Sequence, residues 1–237
     1  MTEGADERPL ARSVAARGRF ARIFALGDRT SPSSWTPGLI VSANDPEISL
    51  RFSAFRIERE SSTIPAKMSM EVLGDLCLPF GKPEIWNAEE GLILPSSLVE
   101  SDSGQKSIGG QLLPVSWQSL NHDAKLLEHS LEPSIVALID APQLAERPGK
   151  LVEALDAIRR RFPTSLIWTP GIGGPDNCAL LSWMGVDLFD FSRSQEAVAR
   201  GVILTEDGPR EPELTAGEVS DLQTQLEAWE RALGATR

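Results

Sequence analysis

Three aspartates stand where a carboxylate could do chemistry: Asp102, Asp140 and Asp190. Asp190 closes the string Val186-Asp187-Leu188-Phe189-Asp190, which alternates apolar and acidic residues as a short strand does. Its carboxylate therefore arrives at a strand's carboxyl end, where it is poised for chemistry. The plainer use is to cap the next turn through Ser192 or Arg193. Asp140 ends a second apolar run, Ile135-Val136-Ala137-Leu138-Ile139, and precedes Ala141-Pro142, where its plain reading is a loop-entry aspartate. Asp102 lies in Asp102-Ser103-Gly104-Gln105, within a stretch that is loop-like by composition. Asp187 is read as structural.

Other chemistries find less support. Cys77, Cys178, His122 and His129 are the only cysteines and histidines, and they show none of the paired spacings of a zinc site, so no metal is expected. Cys178 reads as a buried helix residue, with no neighbouring His to activate a thiol. Gly171, Gly173 and Gly174 fit neither the dinucleotide nor the P-loop fingerprint and read as a tight turn. No cofactor is expected.

The elements that must position Asp190 are legible around it. Residues 165–169 form a short apolar run, closed by Pro170-Gly171-Ile172-Gly173-Gly174-Pro175, which no helix could cross. Asp176 or Asn177 can then accept the first amides of a helix through Ala179, Leu180, Leu181 and Met184, with Gly185 as terminator. Strand, helix and strand packed this closely indicate parallel βα units, whose strand carboxyl ends house active sites. A short helix-like stretch follows Ser192. Upstream, residues 20–26 and 39–43 read as strands of a hairpin across the turn-forming residues 30–34, and residues 50–59 as another strand. Residues 117–130 and 148–162 read as helices on either side of a doubly buried strand over residues 134–139. Near the carboxyl end, Thr215 and Glu218 form a capping box before the stripe Val219, Leu222, Leu226, Trp229 and Leu233. That stripe packs on the parent domain or docks a partner chain.

With 237 residues, 41% hydrophobic and 24% charged, the chain suits one globular domain. No apolar run approaches the roughly 20 residues of a membrane span, and a cytoplasmic protein is expected. The formal charge of −11 opposes free-standing nucleic-acid binding. Yet Arg8 to Arg29 holds six arginines and a single acid, Asp28, read as a solvated tail or as a local phosphate contact.

Gly185-Val186-Asp187-Leu188-Phe189-Asp190 followed by Ala199-Arg200-Gly201-Val202-Ile203-Leu204-Thr205 resembles the tRNA-guanine transglycosylases, including their archaeosine synthase branch. Ala21-Arg22-Ile23 and Trp35-Thr36-Pro37-Gly38-Leu39-Ile40-Val41 are similar to the family's opening hairpin and first strand. The resemblance implies tRNA base modification in the queuosine or archaeosine pathway. Asp190 matches the nucleophile that attacks the anomeric carbon as guanine departs, Asp140 the aspartate that binds the guanine edge, and Asp102 the nearest candidate for the acid/base residue. The family's zinc segment is absent here, and Asp140 and Asp190 stand only 50 residues apart, as though one or two βα units were missing. The implied fold is α/β, a reduced or incomplete (β/α) TIM-type barrel with an N-terminal β hairpin and a C-terminal helix. The expected organisation is a mobile tail over residues 1–17, a transglycosylase-like domain over 18–210, and an amphipathic helix over 211–237. tRNA is the implied partner, bound directly or through a second subunit, and the C-terminal helix is the implied contact for a homo- or hetero-oligomer. The alternative reading is a non-catalytic homologue that acts as a subunit or as a tRNA- or partner-binding module.

Overall fold

The computed structural model describes residues 12–27, 30–42, 53–59, 90–93, 112–122, 133, 135–211 and 221–237. Asp102, Cys77, His129, the Thr215/Glu218 capping box and Val219 lie outside them.

The chain opens with a three-stranded antiparallel sheet, β1 (Arg12–Arg17), β2 (Arg22–Gly27) and β3 (Pro32–Trp35). This corrects two expectations. Arg12–Arg17, assigned to a mobile tail, is a strand paired with β2 along its length, and Arg12 Nε donates to the Thr164 carbonyl at 2.9 Å. Its small, mixed side chains carry no periodic signal, so backbone pairing and the arginine anchor decide its state. Residues 32–34, read as part of a turn over 30–34, belong with Trp35 to the third strand; the antiparallel partners of β2 are therefore β1 and β3, not residues 39–43.

Residues 38–42 instead form β4 (Gly38–Ser42) of a larger sheet. It contains β5 (Ser53–Arg59), β6 (Glu90–Ile93), β7 (Leu112–Val115), β8 (Ile135–Leu138), β9 (Leu166–Trp168) and β10 (Leu188–Asp190), in the order β6-β5-β4-β10-β9-β8-β7. All neighbouring pairs are parallel except β5 with β6. The strands around Asp190 are thus parallel neighbours, with Leu188 opposite Trp168. No pairing among the described residues joins β6 to β7.

Between the strands lie α1 (Trp117–His122), α2 (Ala141–Ala145), α3 (Pro148–Arg161) and α4 (Cys178–Trp183), and after them come α5 (Ser192–Ala199), the hairpin β11 (Ile203–Thr205) and β12 (Gly208–Arg210), and α6 (Asp221–Thr236). The helix expected over 117–130 is described only as far as His122. Among the described side chains, both faces of β8, β9 and β10 are buried, as are Leu39 and Ile40 of β4. Leu39, Val136, Leu138, Ile167 and Phe189 join the helix core with Leu155, Ile158, Leu181 and Trp229. Their alternates Ile40, Ile135, Ala137, Leu166, Trp168 and Leu188 are no more than 1% exposed on the other face.

The C-terminal stripe packs into this same core: Leu226, Trp229 and Leu233 are buried, and the Trp229 ring lies 5.8 Å from that of Phe189. Residues 221–237 are therefore part of the domain, and any partner has to use the helix's polar side. Within the stripe, Gln225 is wholly buried and bonds the β11 backbone like a neighbouring strand, its Oε1 accepting from Leu204 N–H and its Nε2 donating to the Leu204 carbonyl, both at 2.8 Å. Gln225→Leu should lower stability despite its greater hydrophobicity, by about 1–3 kcal/mol for each backbone group left unpaired. Urea denaturation checks this; an unchanged midpoint would mean that water or a shifted side chain replaces the amide.

Candidate functional site

Asp190 stands at the carboxyl end of β10, opposite Ile40 of β4, and shares the face of Trp168 and Leu188 rather than that of the helix core. Its residue is 6% exposed. Oδ2 accepts from the Trp168 indole N–H at 3.1 Å and the Gly171 N–H at 2.9 Å, and Oδ1 accepts from Ser192 N–H at 2.9 Å. The carboxylate thus joins the end of β9, the turn after it and the start of α5. Of its roughly four lone-pair directions, three are taken, and the open one lies on Oδ1.

The turn after β9 is shaped to reach it. Gly171 has φ +74°, the left-handed region that a side chain disfavours, and this conformation aims its amide at Asp190. At Gly173 a Cβ would stand 2.5 Å from the Phe189 ring, so the backbone must lie directly on that side chain. Asp176 receives a two-pronged ion pair from Arg193, at 2.6 and 2.7 Å, which clamps the turn to α5. Gly174 N–H is held by Asn177 Oδ1 at 2.8 Å. With the Gly171 and Gly174 amides both bound internally, the tight-turn reading of these glycines suits the geometry better than a phosphate loop. Cys178 is buried, and burial raises its thiol above the ordinary value, which leaves it unactivated.

Asp140 lies just beyond β8 at the same edge of the sheet, with β9 between it and Asp190. Its Oδ2 accepts from Trp117 N–H at 2.9 Å, tying the ends of β7 and β8, while Oδ1 is buried with no hydrogen-bond partner. Burial raises its carboxyl above the ordinary range, opposed by the Trp117 amide. Thr169, at the end of β9, is fully buried and its hydroxyl is likewise unpartnered. Two unmet polar atoms therefore sit at the carboxyl ends of adjacent strands, where a ligand's polar groups could satisfy them. Asp187 is at the opposite end of β10: its Oδ2 accepts from Arg159 Nη2 and from Ile167 N–H, both at 2.9 Å. Burial pushes its carboxyl up and the Arg159 guanidinium pulls it back. That environment is a structural one.

Of the groups that fix Asp190, the sequence offers Ser192, whose N–H does donate to Oδ1, while Arg193 turns to Asp176 instead; it does not name Trp168 or Gly171 as partners. Trp168 passed as one apolar residue in a strand, yet a buried indole N–H needs an acceptor, and the acid one strand away was the candidate. The Asp176–Arg193 pair spans 17 residues and carries no local pattern. Among the described residues no group of three His, Cys, Asp or Glu side chains could hold a metal, and no helix is long and apolar enough to cross a membrane. No protein-family model matches the chain, and no curated protein does either.

Two measurements check this geometry. Asp190→Asn should not be silent, because a carboxamide offers one accepting oxygen where the site has donors on both sides. One donor loses its acceptor, and stability should fall by about 1–3 kcal/mol in denaturant titration. For Asp140 the sign follows from a folded-state value raised above the unfolded one. The neutral variant Asp140→Asn should match the wild type near the unfolded carboxyl value and become the more stable protein as pH rises through the folded value. Melting temperatures between pH 4 and 8 that run parallel for the two proteins would show that Asp140 is not strained.

Proposed function

We propose that this chain is a tRNA-guanine transglycosylase-like protein of the queuosine or archaeosine pathway, built on a reduced (β/α) barrel and exchanging a base through Asp190. The barrel reading is supported by the strand order. β4, first in the parallel set, pairs with both the second strand, β5, and the last, β10, and every later strand adds in one direction. A singly wound sheet keeps its helices on one side, and curling on itself is one way to bury its other face without them. The buried face of Ile40, Ala137, Leu166, Trp168 and Leu188 is what such an interior requires.

The observation that carries the chemistry is the rigid carboxylate of Asp190 on that inner face, at the carboxyl end of its strand, with one lone pair of Oδ1 open. Oδ1 attacks the anomeric carbon of the target nucleotide and the glycosidic bond to guanine breaks, leaving a glycosyl ester. The incoming base then attacks the same carbon and releases the carboxylate. Three fixed donors orient the attacking group and spare reorganisation during reaction. Asp140, whose free Oδ1 seeks a donor, accepts from the N1 and exocyclic N2 hydrogens of guanine. Asp102 is the candidate for the acid that protonates the departing base. A partner subunit contributes tRNA affinity, which the chain's charge of −11 does not favour.

A second reading, a non-catalytic homologue that supports an active subunit, is favoured by the same three hydrogen bonds, since they give Asp190 a complete structural task. Exchange of labelled guanine into tRNA separates the two. If Asp190 is the nucleophile, wild-type protein incorporates label and Asp190→Asn, corrected for its folded fraction, falls to background. Incorporation by Asp190→Asn at the wild-type rate would overturn the nucleophile; silent wild-type protein that activates a second subunit would establish the homologue.

A further inference from the structure

The opposite end of the sheet carries a feature that the chemistry at Asp190 does not use. The turn between β1 and β2 presents Arg17, Arg19 and Phe20 to solvent, and neither arginine forms an ion pair among the described residues. The Arg19 guanidinium lies 5.4 Å from the centre of the Phe20 ring. This turn rests on Gly185, where a Cβ would stand 3.2 Å from the Phe20 carbonyl oxygen, so it sits beside the end of α4. There Leu180 and Trp183, three residues apart and on one side of the helix, are 59% and 60% exposed. They are the most exposed large apolar side chains among the described residues, against 38% for Phe20. Arg160, at the end of α3, adds a further exposed cation at this end, shared with Asp156.

We infer that this amino-end face is a docking surface for single-stranded RNA, with Arg17 and Arg19 on phosphates and Trp183 and Phe20 under bases. Naming RNA as the polyanion rests on the tRNA reading above; the surface chemistry stands apart from it. In a chain of net charge −11, a turn that presents two exposed arginines with no carboxylate partner among the described residues marks a place where an anion is tolerated. Arginine beside exposed tryptophan is the combination that binds nucleic-acid strands without reading sequence, because every base offers a face to stack. An acidic protein partner would use the arginines but would leave the aromatic pair without a comparable role. The face lies at the end of β10 away from Asp190, so it would hold a part of the tRNA remote from the exchanged base.

Fluorescence anisotropy of the full chain with a labelled single-stranded RNA oligonucleotide, over a series of salt concentrations, tests the proposal. Base exchange plays no part in the measurement, so an inactive Asp190 does not affect it. These side chains are exposed, so the variants should keep the wild-type circular dichroism spectrum. Arg17→Gln with Arg19→Gln should lower the slope of log affinity against log salt by about 1 to 2, at about 0.7 for each single-strand phosphate contact. Trp183→Ala should weaken binding about tenfold with the slope unchanged. Absence of binding at low salt, variants that bind like the wild type, or equal binding of a polyglutamate peptide would each overturn it, the last in favour of an acidic protein partner.

Discussion

A single carboxylate ties together three segments at the carboxyl end of the sheet. Asp190 receives the Trp168 indole from β9, the Gly171 amide from the turn and the Ser192 amide at the start of α5. Three short segments are held in one arrangement by that group. The glycines of the turn follow from it: the chain has to approach closely enough for an amide to reach Oδ2, and it lies on Phe189 to do so. Phe189 in turn packs against Trp229, so the C-terminal helix supports the site from behind. A carboxylate this well held is either a structural pin or a nucleophile whose orientation is set in advance, and the same hydrogen bonds serve both.

The other end of β10 is stabilised in a different way. Asp187 is buried against Arg159, which also donates to the Ser165 and Gly185 carbonyls, and Arg22 of the N-terminal sheet reaches the Ser165 carbonyl at 3.0 Å. Burying such a pair gains little net energy, but removal of one partner leaves an uncompensated charge, so the pair enforces one docking of α3 and β2 on the sheet. A strand of three residues thus carries an acid at each end of its segment: one fixes the architecture, and the other faces the rim where strand ends meet solvent or ligand.

Much of the site was legible because its punctuation is local. Pro170 to Pro175 stops a strand, Gly185 stops a helix with φ +106°, and the alternation up to Asp190 gives the next strand its face; each signal acts over a few residues. The parallel pairing of β9 and β10 follows from the short helix between them. What sequence reading could not supply depends on contacts across the chain. The strand over Arg12–Arg17 exists because β2 and Thr164 hold it, 152 residues away in the latter case. Gln225 reads as a polar interruption of an apolar stripe until β11 is seen to need its amide. Asp102 lies outside the described residues.

The most direct test of the account is to trap the ester. Full-length protein incubated with tRNA, quenched in denaturant and digested with protease and nuclease, is examined by mass spectrometry for a nucleotide-bearing peptide. The account predicts a ribosyl adduct on the peptide that contains Asp190, lost on treatment with hydroxylamine. Base exchange proceeding without an adduct, or an adduct on a different carboxylate, would contradict it.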